Sequence, residues 1–516
     1  MAKLLTLPQK FRDTVSKYGD STAIIQGEQQ YTFVDIDKMS NQIAAGLQNR
    51  GIMAGERIGL YCVNCVEFAA TYLGIVKAGA TVVALNLLLN PKEVAWILNN
   101  AQARALIYHP AMQASVDLFV PEVATLECVV STGPATDTAI GWADFLIDGP
   151  LQDAEAVQDD LVAILYTSGT TGKPKGAMLT HQNLVSNTSS AMQAFQLHPG
   201  EDCLLTVLPM FHAFAATVGM LMPLLNGCTF IPVPRFEPEL VVDAIEKGNA
   251  TIFLGVPSMY NVLMSLPDKH LPRLKSLKFC VSGGAAMPQA LLSRFEEKFG
   301  LLIYEGDGPT ECSPVTCVNP VGGLRKHASV GLPVPDVQME IRDLQGEIVE
   351  DKKIGEICVK GPNVMKGYWQ RPDATLETFF GDWLRTGDLG YRDEDGYFYI
   401  VDRIKDMIIV NGMNVYPRVI EEILYKHPDI LEAAVVGEPD ERHGEVIVAH
   451  VVAQPGKSLD RASVRSFCQQ HLGRYQIPKK VVVEEALPKN AAGKILKREL
   501  RKQGELERGV DSRSSA

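Results

Sequence analysis

The sequence predicts an α/β protein with a large N-terminal domain and a smaller α+β C-terminal domain. Its 516 residues are too many for one ordinary hydrophobic core, so at least two domains are expected. Strand and helix patterns alternate over residues 1–160, which favours a largely parallel sheet covered by helices. From residue 337 to residue 401 short strand patterns dominate and predict a small β-rich subdomain that closes the N-terminal domain.

Each predicted element rests on a local pattern. Arg57–Tyr61 and Thr81–Leu85 are short apolar runs typical of buried strands, while Val34–Gly51 and Val63–Gly79 are typical of helices. Towards the C-terminus, helices are predicted over 418–426 and 459–472, and strands over 430–436 and 445–452.

The most informative stretch is Tyr166–Gly176, which follows Leu161–Leu165, an apolar run typical of a buried strand in a parallel sheet. It contains three glycines, four Ser or Thr hydroxyls and two lysines. Glycines let backbone N–H groups curl around an anion, hydroxyls donate further hydrogen bonds, and lysines supply positive charge. Thr180 then predicts the N-cap of a helix through Ala191. The composition is that of a polyphosphate cradle.

A P-loop is the obvious rival for this stretch, and the spacing excludes it. That motif requires Gly-x4-Gly-Lys-[Ser/Thr]. With Gly172-Lys173 as its second half, Thr167 stands at the first glycine position and Pro174 follows the lysine. A flexible surface loop remains the alternative on composition alone.

Composition narrows the classes of function. Hydrophobic residues make up 46% and charged residues 21% of the chain, as in soluble globular proteins. The net charge of −12 argues against a nucleic-acid partner, because the protein as a whole would repel a polyanion. The N-terminus lacks an apolar run of signal-peptide length, so a cytoplasmic enzyme is expected.

Two other stretches have competing interpretations. Leu204–Pro234 contains no charged residue and is long enough to span a bilayer, but prolines and glycines interrupt it. We interpret it as buried core and pocket wall, and weak peripheral contact with a membrane stays open. Cys62 and Cys65 form a lone CxxC inside a helix-like apolar stretch, which favours packed thiols over redox chemistry.

The whole string Tyr166–Gly176 resembles the signature loop of the adenylate-forming superfamily, which includes acyl-CoA synthetases, firefly luciferase and the adenylation domains of peptide synthetases. The other signature motifs of that superfamily follow in order, from about residue 10 to residue 500. The resemblance implies an N-terminal domain over residues 1–402, made of two α/β sheet layers and the small β subdomain. It further implies a hinge at residues 403–406 and a mobile C-terminal domain over residues 407–516.

One motif departs from the family pattern. Residues 306–311, Gly-Asp-Gly-Pro-Thr-Glu, resemble the family string in which an aromatic residue stacks on adenine, Thr binds the α-phosphate and Glu holds Mg²⁺. Thr310 and Glu311 match, but Asp307 stands at the aromatic position. A carboxylate cannot stack and would repel phosphates, although it could accept a hydrogen bond from the adenine amino group.

The resemblance assigns roles residue by residue. A lone histidine among apolar residues, such as His212, is more often structural, but its position resembles the motif beside the acyl pocket. Asp388 matches the ribose-binding carboxylate, Lys405 the hinge pivot and Lys494 the catalytic lysine. The catalytic residues implied are Lys494, Glu311, Thr310 and His212, and the metal ligands Glu311 and Thr167. The cofactor-binding residues implied are Thr167, Ser168, Gly169, Thr170, Thr171, Gly172, Lys173, Lys175, Gly283, Gly284, Ala285, Asp307, Asp388, Arg403, Lys405 and Gly412.

The implied reaction joins a carboxylic acid to a thiol in two steps, with ATP, Mg²⁺ and coenzyme A. A medium- or long-chain fatty acid is favoured, because 211–225 and 256–263 are apolar and uncharged. An aryl acid, a carrier-protein thiol as acceptor, and a non-catalytic sensor of nucleotide or acyl-AMP are the alternatives. The sequence leaves the oligomeric state open, a dimer included.

Overall fold

The computed structural model of the protein describes residues 5–151, 156–167, 174–440, 442–490 and 493–504. The α-helices within these ranges are α1 Leu7–Tyr18, α2 Phe33–Asn49, α3 Val66–Lys77, α4 Pro91–Ala101, α5 Gln113–Phe119, α6 Trp142–Phe145, α7 His181–Ala194, α8 Met222–Asn226, α9 Pro238–Gly248, α10 Pro257–Leu263, α11 Gln289–Phe299, α12 Pro372–Glu377, α13 Pro417–Leu424 and α14 Arg461–His471. The strands are β1 Thr22–Gln26, β2 Gln29–Thr32, β3 Arg57–Tyr61, β4 Thr81–Ala84, β5 Ala103–Tyr108, β6 Cys128–Ser131, β7 Leu161–Thr167, β8 Lys175–Thr180, β9 Cys203–Thr206, β10 Thr229–Pro232, β11 Ile252–Gly255, β12 Phe279–Ser282, β13 Ile303–Asp307, β14 Cys317–Val318, β15 Leu332–Pro333, β16 Gln338–Arg342, β17 Gly355–Lys360, β18 Gly367–Tyr368, β19 Phe379–Phe380, β20 Trp383–Arg392, β21 Phe398–Arg403, β22 Ile408–Val410, β23 Met413–Val415, β24 Ile430–Asp440, β25 Gly444–Ala453 and β26 Lys480–Glu484.

These strands form two large sheets and two small ones. The seven-stranded sheet has the order β18-β8-β7-β4-β3-β5-β6, and the nine-stranded sheet the order β15-β14-β13-β12-β11-β9-β10-β1-β2. The predicted β subdomain is a five-stranded sheet of order β16-β17-β20-β19, with β21 paired to β20. The C-terminal sheet has the order β23-β22-β25-β24, with β26 paired to β25. The predicted α/β fold class, including the smaller α+β C-terminal part, is confirmed.

The two large sheets share one hydrophobic core. It includes Ile58 of β3 in one sheet, Leu254 of β11 in the other, and Ile43, Phe68 and Leu184 from helices α2, α3 and α7. Removing apolar surface from water in this shared layer fixes the two sheets against each other. The shared core therefore fixes the positions of the strand ends from which the loops of both sheets extend.

The strand before the predicted phosphate cradle has one parallel and one antiparallel neighbour. β7 pairs parallel with β4, as the apolar run predicts, but antiparallel with β8. Thr167 and Lys175, which bound the loop, are cross-strand partners, so the strands hold its two ends together. Thr180 caps α7 as predicted, its hydroxyl accepting a hydrogen bond from the Asn183 N–H at 3.2 Å.

The uncharged stretch Leu204–Pro234 is core, as interpreted from its prolines and glycines. It forms β9, a π-helix over Ala215–Leu221, α8 and β10, and the side chains of the π-helix are buried. In the described part of the chain, none of the helices has the length and apolarity needed to cross a membrane.

The CxxC pair lies outside a helix interior, which corrects the sequence interpretation. Cys62 directly follows β3, and Cys65 is the N-cap of α3. The sequence predicts a helix from Val63, whereas the observed helix begins at Val66. Their sulfur atoms are 3.4 Å apart, and both side chains are buried. Burial raises the pKa of the Cys62 thiol, so it stays protonated, as packed thiols do.

Candidate active site

The carboxyl ends of two parallel strands form the floor of the site. β12 runs into Gly283, Gly284 and Ala285, and the neighbouring strand β13 runs into Asp307. In open α/β sheets ligands bind at this edge. A Cβ at Gly283 would lie 3.3 Å from the Phe214 ring and 3.6 Å from the Gly306 carbonyl oxygen. Gly284 has φ +75°, which disfavours side chains, so only small residues fit this floor.

An ion pair between a buried aspartate and a half-buried arginine lies beside this floor. Arg403 Nε donates to Asp388 Oδ1 at 3.0 Å, across neighbouring positions of β20 and β21. The preceding Gly387 has φ +75°, and the Thr386 hydroxyl accepts from the Asp388 N–H at 3.1 Å. The Thr-Gly-Asp stretch is thus a tight turn that fixes a buried carboxylate. Asp388 raises the pKa of Arg403, so the arginine keeps its charge.

Asp307 lies within the field of this pair. Its backbone carbonyl accepts from the Thr316 N–H at 3.0 Å and from the Thr316 hydroxyl at 2.8 Å, which anchors the end of β13. Burial and the nearby Asp388 carboxylate raise the pKa of Asp307 to about 6, although Arg403 and Lys494 oppose the shift. The side chain therefore belongs to a charged cluster where the family pattern has an aromatic ring.

Lys494 reaches the same cluster from the C-terminal part of the chain. The Asn490 side-chain oxygen accepts from the Lys494 N–H at 2.9 Å, and Gly493 adopts φ +77°. The Ser258 hydroxyl donates to the Gly493 carbonyl at 3.2 Å, which docks this turn onto α10. Burial and Arg403 lower the pKa of Lys494 to about 8, while Asp388 and Asp307 oppose the shift. At neutral pH the ammonium is the main form.

His212 is distant from Lys494 in sequence but lies near it in the fold. It follows β9 and is half-buried, and its Nδ1 is 3.4 Å from the Phe214 backbone nitrogen, which donates to it. Burial and the nearby Lys494 charge lower the pKa of His212 to about 4, so the imidazole is neutral. A neutral ring can donate one hydrogen bond and accept another.

Glu311 lies on the side of the site that faces the phosphate cradle. It belongs to the turn Thr310–Cys312, which begins with the half-buried Thr310. Tyr368 donates its hydroxyl to Glu311 Oε1 at 2.8 Å, and Lys175 Nζ lies 5.1 Å from the centre of the Tyr368 ring. Burial and Glu311 raise the pKa of Tyr368, so the phenol remains a donor. Sequence reasoning missed Tyr368; its only signal is an aromatic pair after Gly367.

A divalent cation bound at Glu311 would have this one carboxylate as a protein ligand. Among the described residues there is no group of three or more His, Cys, Asp or Glu side chains able to hold a metal ion. Mg²⁺ usually binds through one or two carboxylates, substrate phosphates and several waters, and Glu311 offers one such carboxylate. The second predicted metal ligand, Thr167, has its hydroxyl 3.4 Å from the Lys175 carbonyl oxygen, at the mouth of the loop.

The remaining predicted site residues fall in three places. Ser168, Gly169, Thr170, Thr171, Gly172 and Lys173 lie outside the described residues. Lys405 is exposed in a 3₁₀ turn over Ile404–Asp406, two residues after Arg403. Gly412 lies in the exposed turn between β22 and β23 with φ +78°, so it is part of a hairpin of the C-terminal sheet rather than of the charged cluster.

Comparison with known proteins places the chain among enzymes of one family. The model of the AMP-binding enzyme family matches residues 11–369, and that of the AMP-binding enzyme C-terminal domain matches residues 419–494. The long-chain-fatty-acid–CoA ligase of Bacillus subtilis (strain 168) is 35% identical over 534 residues, which cover 96% of this chain and 94% of that protein. The feruloyl-CoA synthase of Amycolatopsis sp is 36% identical over 483 residues, which cover 93% and 96%.

A solved structure agrees with this placement. The anthranilate CoA ligase AuaEII, in complex with anthranoyl-AMP, superimposes with a TM-score of 0.91 at 27% identity, covering 98% of each chain. The matching family models and relatives show that the chain is an adenylate-forming enzyme and belongs to the AMP-binding enzyme family. Within that family it is an AMP-forming acid–thiol ligase, a class that uses ATP and coenzyme A.

Proposed function

We propose that the protein activates a medium- or long-chain fatty acid, first to an acyl-adenylate and then to an acyl-CoA. The observation that carries this proposal is the convergence of Lys494 and the Asp388–Arg403 pair on His212, which lies within the uncharged and largely buried segment Leu204–Pro234. Each of these groups has a task in the chemistry of carboxylate activation, and the apolar segment suits an aliphatic tail.

In the first step a carboxylate oxygen attacks the α-phosphorus of ATP, and the bond from that phosphorus to the β-phosphate oxygen breaks. Reactions at phosphorus depend mainly on alignment and charge neutralisation. The Lys494 ammonium is placed to neutralise charge between the carboxylate and the α-phosphate. The neutral His212 ring can donate a hydrogen bond that orients the carboxylate. Thr310, at the start of its turn, can donate its hydroxyl to the α-phosphate.

The nucleotide would be held by the floor and by the ion pair. Gly283 and Gly284, with Ala285 beyond them, leave room for a flat ring against the backbone. Asp388 Oδ2 can accept from a ribose hydroxyl while Oδ1 stays paired with Arg403. The segment Thr167–Lys175 would hold the β- and γ-phosphates. Glu311 would hold Mg²⁺, which would supply neutralising charge for the pyrophosphate leaving group.

In the second step the coenzyme A thiol attacks the acyl carbon, and the bond from that carbon to the AMP oxygen breaks. The thiol must reach the face now covered by Lys494, so we propose that the C-terminal domain, residues 407–516, rotates about residues 403–406. Its polar docking contacts suit such a motion. Besides Ser258 with Gly493, the Asn261 side chain donates to the Leu431 carbonyl at 3.2 Å, and Arg418 lies 3.9 Å from Glu305. Gly412 would then reach the thiol channel.

The fatty-acid assignment rests on the lack of charge in the segments that we propose to line the acyl site. Leu204–Pro234 has no charged side chain, and β11 and α10 add apolar residues beside the docked Lys494 turn. A polar or charged acyl group would lose its hydration there without a partner. An aryl acid is the second candidate, because the feruloyl-CoA synthase is as similar to this chain as the fatty-acid ligase is.

The test is pyrophosphate release across a panel of acids, with and without coenzyme A. The panel contains straight-chain acids from acetate to stearate, together with benzoate, cinnamate and ferulate. We expect turnover with the longer aliphatic acids and a thioester only when coenzyme A is present. Turnover confined to aryl acids would replace the fatty-acid assignment, and thioester on a carrier protein alone would replace the acceptor. Silence from folded protein that binds ATP would favour a sensor.

A further inference from the structure

A two-residue strand braces the exit of the phosphate cradle. β18 (Gly367–Tyr368) pairs antiparallel with β8, the strand that leaves the loop. Its neighbours extend the pairing, because the Lys366 N–H donates to the Met178 carbonyl at 3.0 Å and the Trp369 N–H to the Gly176 carbonyl at 2.8 Å. This short strand therefore has a fixed position relative to the loop.

The short strand β18 places the Tyr368 side chain between Glu311 and Lys175. Tyr368 is 8% exposed, so its ring is held by packing. Its hydroxyl donates to Glu311 Oε1 at 2.8 Å, and the Lys175 ammonium lies 5.1 Å from the ring centre, within cation–π range. One side chain thus contacts both the carboxylate proposed to bind Mg²⁺ and a lysine proposed to bind phosphate.

We propose that Tyr368 is a positioning residue that orients Glu311 toward the metal and Lys175 toward the polyphosphate. This inference rests on the proposed function, which makes Glu311 a metal ligand. A hydrogen bond to Oε1 restricts rotation of the carboxylate and leaves Oε2 for the cation. Partners of this kind typically change metal affinity about 10- to 100-fold.

The backbone around Tyr368 supports a fixed orientation. Gly367 has φ +140°, and a Cβ there would lie 2.8 Å from Thr375, so the close approach of α12 requires glycine. The Tyr368 N–H donates to the Thr375 hydroxyl at 2.9 Å. The Met365 N–H donates to the Glu311 carbonyl at 2.8 Å. Further hydrogen bonds therefore fix the backbone on both sides of the Tyr368–Glu311 hydrogen bond.

Trp369 extends the brace to the strand that enters the loop. Its indole N–H donates to the Asn100 carbonyl at 3.0 Å, and the Tyr166 hydroxyl donates to the Asn100 side chain at 2.6 Å. Tyr166 immediately precedes Thr167 on β7. Tyr368 and Trp369 thus connect the strands at both ends of the cradle. Of these two residues, Tyr368 makes the contacts with Glu311 and Lys175.

The test compares Tyr368→Phe with Tyr397→Phe. The control removes one hydroxyl from another buried tyrosine, which donates to the Leu324 carbonyl. Mg²⁺ is titrated by calorimetry into each full-length variant saturated with α,β-methylene-ATP, which the enzyme cannot cleave. We expect Tyr368→Phe to weaken Mg²⁺ binding about 10-fold, within the usual range for such partners. Tyr397→Phe should bind Mg²⁺ like the wild type.

Two further variants separate the possible failures. Glu311→Ala should weaken Mg²⁺ binding strongly, and Tyr368→Phe should add nothing in that background. If Glu311→Ala leaves Mg²⁺ binding unchanged, the metal site of the proposed function is wrong. If Glu311→Ala weakens binding but Tyr368→Phe only lowers the melting temperature, Tyr368 is structural and the inference is overturned. Tyr368→Leu, which also removes the ring beside Lys175, should weaken nucleotide binding without Mg²⁺, whereas Tyr368→Phe should not.

Discussion

Lys494→Ala is expected to lower the rate of acyl-adenylate formation about 10²- to 10³-fold, the usual effect of removing one group that stabilises developing charge. The ammonium lies among Asp388, Asp307 and Arg403, beside the neutral His212, where the carboxylate and the α-phosphate would meet. Alanine removes the ammonium group that would neutralise negative charge between the two reactants, in a site where burial weakens screening by water. The measurement is acid-dependent pyrophosphate release under single-turnover conditions.

The same variant should keep the second half-reaction. Thioester formation from synthetic acyl-AMP and coenzyme A should stay within a few-fold of the wild type, because it follows rotation of the Lys494 turn away from the site. Lys502→Ala is the matched control, since Lys502 pairs with Glu499 on the surface, 49% exposed, and should leave both rates unchanged. Equal loss of both half-reactions would mean that Lys494 supports the fold rather than the adenylation step.

Asp388→Ala is expected to raise the dissociation constant of Mg·ATP about 100-fold. The nucleotide would lose the hydrogen bond from a ribose hydroxyl to Asp388 Oδ2, and a hydrogen bond to a charged group is worth about 1.5–3 kcal/mol. Arg403 would also lose its partner at 3.0 Å, which leaves a positive charge in a half-buried position. Equilibrium binding of ATP and of 2′,3′-dideoxy-ATP measures the effect. The wild type should prefer ATP strongly, and the variant should bind both equally.

Asp393→Ala serves as the control for this change. Asp393 is a second buried carboxylate in the same small sheet region, and it pairs with Lys326 at 2.6 Å. Its loss should lower the melting temperature without changing the preference for the ribose hydroxyls. If Asp388→Ala retains that preference, Asp388 is a structural partner of Arg403, and the ribose site lies elsewhere.

Local patterns were sufficient to predict much of this fold. Thr180 has the right side chain for a cap, and the buried strand over Leu161–Leu165 is apolar throughout. Strand pairing was harder to predict, since it joins residues that are distant in sequence. No periodicity in the sequence indicates that β8 would turn antiparallel beside β7, or that the two residues of β18 would pair with it.

The same contrast between local patterns and contacts distant in sequence applies to the site. Asp388 and Arg403 lie 15 residues apart, and the antiparallel pairing of β20 with β21 brings them together. Tyr368 contacts Glu311 across 57 residues, through a strand too short to show alternation, and sequence reasoning did not find it. The sequence identifies Asp307 as a departure from the family pattern, but the proximity of Asp307 to Lys494 depends on the docked C-terminal turn.

The most direct test of the central claim follows the oxygen atoms of the acid. The preferred acid of the panel is labelled with ¹⁸O in its carboxylate and converted to thioester with ATP and coenzyme A. Attack of the carboxylate on the α-phosphorus predicts one ¹⁸O atom in the AMP and none in the pyrophosphate. Label in inorganic phosphate together with ADP formation would show attack on the γ-phosphorus. That result would contradict an adenylate-forming mechanism at this site.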